Sequence, residues 1–379
     1  MALRTCPNRL GAGLDVKKRT ICFTCNVVLQ GESDPRVRRV HPTSGEEGPP
    51  EPVPNGTAEW NEWMSVGYQL RCDKGHLLPE HSETRSMIVM ALFGQPAAGK
   101  DAFKNAILHE LMAEELFYRK FHAVIRRDQM GEIVPVEPAQ HKPVSTPAAT
   151  RQDYRIPSYI ELKSSRPVET INLVVFNTAG EENQTSWQDL AIAAPFIPET
   201  DVLVLMVPPP ALPGLDQSIR ARSPEDDRQS PLGTLQHIRR VADAVRKTMN
   251  ERQRETLTVV VALTKCDRYA ALRSFPSAAL RNRLHGRNVM DPLDLVMYNE
   301  QELLHDFVDM KGGNKLLEEA ASINGTYFLV ALSGTGGDVL GKAANPVSAP
   351  NRSLDPLLIA LMRAGLGCLT ASDIRASKK

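Results

Sequence analysis

The segment Gly94-Gln95-Pro96-Ala97-Ala98-Gly99-Lys100-Asp101 can bind phosphate with its backbone and a side chain together. Gly94 and Gly99 free the chain to turn successive N–H groups inward, and the Lys100 ammonium can reach the β- and γ-phosphates of a nucleotide. The apolar run 87–93 predicts a strand before this turn. Phe103, Ile107, Leu111 and Leu116 predict a helix after it, whose unpaired N–H groups and positive dipole end aim at the same anion. An ordinary strand-to-helix turn rich in small residues is the plainer alternative. Asp101 stands where such a loop carries a Ser or Thr hydroxyl for Mg²⁺, so the phosphate expectation is stronger than the metal expectation.

Three further segments follow in the order a guanine-nucleotide site requires: Asn177-Thr178-Ala179-Gly180, Thr264-Lys265-Cys266-Asp267 and Val330-Ala331-Leu332-Ser333. Residues 258–263 read as a buried parallel strand, which places Thr264, Lys265 and Asp267 at its carboxyl end, where open α/β sheets bind ligands. An aspartate there accepts two hydrogen bonds from the N1–H and exocyclic amine of guanine. Adenine offers no such donor pair and would leave the carboxylate unpaired. Standing alone, the tetrapeptide would read equally well as a polar turn after a strand.

Cys22 and Cys25, with Cys72 and His76, make two chelating turns suited to one tetrahedral Zn²⁺ bound by three thiolates and an imidazole. The long interval between them must contain an excursion, and residues 41–58, rich in proline and glutamate, are expected to form a flexible loop. Free buried thiols are the alternative, and Cys6 could replace one ligand. Cys266 and Cys368 are isolated and read as structural.

On these residues the chain resembles the translation-factor-related class of P-loop GTPases over roughly residues 86 to 366. With Cys72-Asp73-Lys74-Gly75-His76-Leu77-Leu78-Pro79 just before the first core strand, it is similar to the zinc-ribbon GTPases of prokaryotic "double-GTPase" conflict and signalling systems. The resemblance implies a GTP- and GDP-binding regulatory switch with Mg²⁺ and Zn²⁺ as cofactors. It implies a protein partner, a second GTPase among the candidates. Carried over by position, Gly94, Gly99 and Lys100 match the phosphate loop and Gly180 the glycine that senses the γ-phosphate. Thr264, Lys265 and Asp267 match the base reader, and Ala331 with Leu332 the backbone prop beside guanine. Three positions depart from the pattern: Asp101, Asn177 in place of Asp, and Glu181 in place of the water-positioning Gln.

The first two departures compensate each other if Asp101 binds Mg²⁺ directly and Asn177 holds a metal-bound water, which is the expectation here. Glu181 could orient an attacking water, with Lys100 and Gly180 completing the catalytic set. With Glu182 it could equally cap a helix expected over 184–192. Arg151, Arg155, Thr146 and Thr150 occupy the interval where a switch loop would lie.

The elements that must position these residues are legible as strands near 87–93, 158–164, 170–176, 202–207, 257–263 and 326–331, alternating with helical patterns. They predict an α/β, three-layer, P-loop GTPase-like fold with a mainly parallel sheet, one edge strand of which could run antiparallel. The expected division is a zinc-ribbon-like module over 1–85 and a nucleotide domain over 86–379, with an insertion at about 208–231 that is either a lid or partner-binding loop or a surface excursion. In 379 residues, 45 basic and 45 acidic side chains cancel, which argues against a nucleic-acid partner despite Arg4, Arg9, Lys17, Lys18, Arg19, Arg36, Arg38 and Arg39. No apolar run spans a bilayer and no signal-peptide pattern opens the chain, so a cytoplasmic location without membrane contact is expected. A nonhydrolysing nucleotide-bound scaffold and a zinc-dependent nucleic-acid binder are the competing functions.

Overall fold

The computed structural model describes residues 19–22, 25, 27–31, 34–41, 44–48, 58, 69–76, 78, 85–112, 121–125, 157–165, 168–178, 186–216, 229–266, 272, 274–275, 293–333 and 352–364. Among them the chain is α/β, with a sheet of seven strands in the order β11-β10-β9-β5-β8-β7-β6. β5 (Ser86–Phe93), β8 (Val168–Asn177), β9 (Val202–Val207), β10 (Thr258–Leu263) and β11 (Phe328–Ala331) run parallel. β7 (Ser158–Ser165) and β6 (Phe121–Ile125) extend one side through antiparallel pairing. β7 alone runs against the parallel set and lies one strand in from the edge strand β6, whereas the sequence suggests a reversed strand at the edge itself.

Alternation explains why the central strands read as unbroken apolar runs. Along β5, Met87, Val89, Ala91 and Phe93 enter one core while Ile88, Met90 and Leu92 enter the other. β9 and β10 divide their side chains the same way, so both faces of the sheet are covered. One cover includes α1 (Lys100–Met112), through Phe103 and Ile107, and α7 (Asp355–Arg363). The opposite cover includes α2 (Trp187–Ala193), α3 (Pro231–Thr248), α5 (Leu293–Met310) and α6 (Asn314–Ala321). A short helix, α4 (Glu251–Thr256), leads into β10. Five parallel strands therefore present their carboxyl ends along one edge, and the turns after β5, β8, β10 and β11 are the four segments singled out above.

The start of α2 corrects one expectation. Ser186 caps this helix by accepting from the Asp189 N–H, and the Asp189 carboxylate accepts in return from the Ser186 N–H. The cap belongs to these two residues, not to Glu181 and Glu182. Residues 209–216 of the expected insertion are also more ordered than a surface excursion: Pro209, Pro210, Ala211, Leu212 and Leu215 are buried, and Gly214 N–H donates to the Lys311 carbonyl at 2.9 Å.

The amino-terminal module consists of two antiparallel hairpins, β1 (Thr20–Cys22) with β2 (Val27–Leu29) and β3 (Val37–Val40) with β4 (Gln69–Cys72). It is joined to the α/β core at the amino ends of the parallel strands. Ile21 is fully buried in the core cluster of the first sheet face. Arg19 pairs with Glu199 and Asp201, and Asp201 accepts the Val89 N–H at 2.8 Å. Asp201 immediately precedes β9, so about 20 Å of strand separates this junction from the carboxyl edge. Of the expected loop at 41–58, residues 44–48 turn back on β3, with Gly48 N–H donating to the Arg39 carbonyl at 2.6 Å. Among the described residues no helix is long and apolar enough to cross a membrane.

The described arginines of the expected basic surface are turned inward or paired. Arg39 is buried. Arg36 pairs with Asp34, whose carboxyl it holds well below the usual carboxylate range, and Arg38 pairs with Glu47. Arg19 is committed to the junction.

Candidate functional site

The glycine turn at 94–101 links β5 to α1 at the carboxyl edge. A Cβ on Gly94 would lie 2.9 Å from Met206 Cβ and 3.1 Å from Ala98 Cβ, so only glycine lets this turn sit against β9. Gly99 has a φ of +95° and Ala97 a φ of +59°, which turns the chain into a left-handed curl. Lys100 is nearly buried, and its ammonium folds back over the turn to donate to the carbonyls of Gly94 and, at 3.2 Å, of Gln95.

The other segments are tied to this turn by threonine hydroxyls. Thr178 Oγ1 donates to the Leu92 carbonyl at 2.6 Å, just before the turn begins. Thr264 Oγ1 donates to the Ala98 carbonyl at 2.8 Å, so the strand end expected to read the base is bonded directly to the turn expected to hold phosphate. Lys265 has a φ of +56°, a conformation that costs a non-glycine residue about 1 kcal/mol or more and that persists when surrounding structure enforces it. The enforcing bonds are visible: Cys266 N–H donates to the Leu332 carbonyl at 3.1 Å and Leu332 N–H to the Leu263 carbonyl at 2.9 Å. Ala331 and Leu332 therefore brace the turn at 264–266. Gly180, Glu181 and Asp267 lie outside the described residues, as do Thr146, Thr150, Arg151 and Arg155.

The two residues expected to act together on a metal are in direct contact. Asn177 Nδ2 donates to Asp101 Oδ1 across the gap between β8 and the first turn of α1. Asn177 Oδ1 is buried and accepts no hydrogen bond among the described residues. A carboxylate and an amide oxygen are hard ligands of the kind Mg²⁺ takes, but here the amide turns its nitrogen, not its oxygen, toward Asp101.

Four ligand atoms gather at the ends of the two hairpins of the amino-terminal module. Those of Cys22, Cys25, Cys72 and His76 all lie within 4.8 Å of one another. Cys25 Sγ is 3.9 Å from Cys72 Sγ, and His76 Nδ1 is 3.1 to 3.8 Å from the three sulfurs. A tetrahedral metal with sulfur at about 2.3 Å and nitrogen at about 2.0 Å requires sulfur–sulfur and sulfur–nitrogen separations of about 3.8 and about 3.5 Å. The cluster can therefore bind a metal ion such as zinc with small adjustment. Each chelating turn is shaped by its own backbone: Cys25 N–H points at Cys22 Sγ at 3.4 Å, and Gly75, at a φ of +82°, lets its N–H reach the Cys72 carbonyl at 2.8 Å. Burial pushes the Cys22 and Cys25 thiols up, so an incoming cation must displace the protons these two hold.

Sequence reasoning missed two contacts at the glycine turn. Thr234 Oγ1 donates to Gln95 Oε1 at 2.8 Å, and Gln229 Nε2 donates to the Pro96 carbonyl at 2.8 Å. No local signal announces them, because more than a hundred residues of chain separate each pair. No protein-family model matches the chain, and no curated protein is significantly similar to it.

Proposed function

We propose that the chain is a guanine-nucleotide switch of the P-loop GTPase type that binds GTP and GDP with Mg²⁺ and hydrolyses GTP. The observation that carries this proposal is the convergence at one sheet edge: Thr178 is bonded to the strand entering the 94–101 turn, Thr264 to the turn itself, and Leu332 to the base of the 264–266 turn. Phosphate would be held by the backbone of residues 94–101 with Lys100, and guanine by Lys265 and Asp267 beside Ala331 and Leu332. Asp101 and Asn177 would hold Mg²⁺, which supplies charge neutralisation at the phosphates. Gly180 and Glu181 would respond to the γ-phosphate and its attacking water. The cysteine and histidine cluster would hold one structural Zn²⁺. Its place at the amino ends of the strands keeps it away from the nucleotide and suits it to docking a protein partner, a second GTPase among the candidates. The pairing of Arg36 and Arg38 and the burial of Arg39 count against nucleic acid. These features are consistent with a cytoplasmic regulatory protein.

The direct bond between Asn177 and Asp101 also favours a second function, a scaffold that keeps nucleotide without turning it over, because the Asn177 amide nitrogen already occupies an Asp101 carboxylate oxygen without a metal. Binding of GTP and ATP with and without Mg²⁺, followed by phosphate release in the same samples, separates the two. Selective GTP binding with release supports the switch, GTP binding without release supports the scaffold, and equal binding of ATP removes the guanine assignment.

The metal arrangement has its own test in Asp101→Ser, Asn177→Asp and the double variant. Each single change is expected to weaken Mg²⁺-assisted binding about tenfold, and the double change to recover at least 1 kcal/mol of the summed loss. Additive effects in the titration would show that the two residues do not share an ion.

A further inference from the structure

We infer that Thr234 and Gln229 are positioning residues of the nucleotide site, acting through Gln95 and Pro96 at the crown of the glycine turn; this rests on the nucleotide proposal above. The crown needs outside support. Residues 94–99 include one non-glycine residue in the left-handed region and two glycines, and such a curl holds its inward N–H groups only if its outer surface is fixed. The inner support is Thr264, on the Ala98 carbonyl. The outer support is the first turn of α3 and the residue before its cap. Thr234 is 1% exposed and spends its hydroxyl proton on Gln95 Oε1, and Gln229 is 5% exposed and spends its amide donor on Pro96.

Two details separate this contact from ordinary packing. Gln229 Oε1 is buried and has no hydrogen-bond donor among the described residues, an arrangement that disfavours folding. The one hydrogen bond its side chain makes among the described residues is the bond to the Pro96 carbonyl. The second detail is Gly233, the third residue of α3. A Cβ on it would fall 2.5 Å from Gln95 Nε2 and 3.0 Å from Ser230 Oγ. Glycine is a poor helix former, and its use here leaves room for the Gln95 amide beside Thr234. Ser230 caps the helix by accepting the Gly233 N–H at 3.0 Å, which sets the height at which Thr234 meets Gln95.

The consequence is that the first turn of α3 sets nucleotide affinity without touching nucleotide. Thr234→Val removes the donor while keeping the shape, and is expected to weaken binding of both GDP and GTP about tenfold, chiefly through faster release. Thr234→Ser should restore affinity to within about threefold. Gly233→Ala pushes the Gln95 amide aside while improving the helix, so nucleotide affinity should fall as the unfolding midpoint stays level or rises. A residue that acted only on stability would move both in the same direction.

The experiment is fluorescent GDP and GTP dissociation from the full chain and these variants, with thermal unfolding of the same samples and Thr234→Val repeated on a Gln95→Leu background. Loss of affinity in Thr234→Val that vanishes on the Gln95→Leu background supports the inference. Unchanged affinity in both Thr234→Val and Gly233→Ala, in a parent that binds nucleotide, overturns the inference and leaves the nucleotide proposal standing. A parent that binds neither GDP, GTP nor ATP overturns both.

Discussion

Lys100→Ala is expected to raise the dissociation constants for GDP and GTP at least about a hundredfold. Each charge-assisted bond from an ammonium to phosphate contributes about 1.5–3 kcal/mol, and two such bonds would partly replace those Lys100 now makes to the carbonyls of Gly94 and Gln95. A net of about 3 kcal/mol corresponds to slightly more than a hundredfold. The fold should survive, since alanine at the first position of α1 favours the helix and Phe103 and Ile107 keep their burial. Lys100→Arg tests the geometry separately. It keeps the charge, yet the side chain is nearly buried against its own turn, and a branched guanidinium has no room there. It should bind little better than alanine. Titration of fluorescent nucleotide into the three proteins, with unfolding midpoints measured in parallel, would read both effects, and wild-type affinity in Lys100→Ala would remove the phosphate loop from the proposed function.

How much of this was legible in the chain depends on whether the determining interaction is local. Strands β5, β9 and β10 announce themselves because burial on both faces demands unbroken apolar runs, as in Val202 to Val207. The segment Phe121–Ile125 does not, because it is a five-residue edge strand that exists by pairing with β7 across a long connection. The cysteine and histidine cluster was legible because each chelating turn is contiguous in sequence. Likewise, the segments at 94–101 and 264–267 carry their chemistry in consecutive residues, although their mutual bond through Thr264 was not visible.

Charge was the least legible feature. Arg19 looks like part of a basic surface among Lys17 and Lys18, but its partners Glu199 and Asp201 lie 180 or more positions away and fix it at a domain junction. The helix cap was misread for a different reason. Ser186-Trp187-Gln188-Asp189 carries a cap signal in its own spacing, whereas the acidic pair at 181–182 precedes the helix start by several residues.

Cys72→Ser should abolish metal binding and unfold the amino-terminal module, and the loss should be felt in the α/β core. Among the described residues the module's own buried cluster is Cys22, Leu29, Val37, Leu70, Cys72 and Leu78, so two of these six are also candidate metal ligands. So few aliphatic side chains cannot offset the ordering of two hairpins, whereas a structural zinc contributes on the order of 10 kcal/mol to domains of this kind. When the module unfolds, Ile21 leaves the main core and Arg19 leaves Asp201. An emptied isoleucine site alone costs about 2–5 kcal/mol. The purified chain should therefore carry about one zinc per molecule. Cys72→Ser should carry almost none, show protease cleavage near the junction and unfold at a lower temperature. Cys266→Ser provides the control, since Cys266 is buried in the α/β core far from the cluster in sequence and should leave zinc content unchanged. Full zinc retention in Cys72→Ser would show that the four side chains do not share an ion. Zinc loss without any change in the main unfolding transition would show instead that the junction at Ile21 and Arg19 transmits nothing, and that the amino-terminal module and the α/β core are energetically independent.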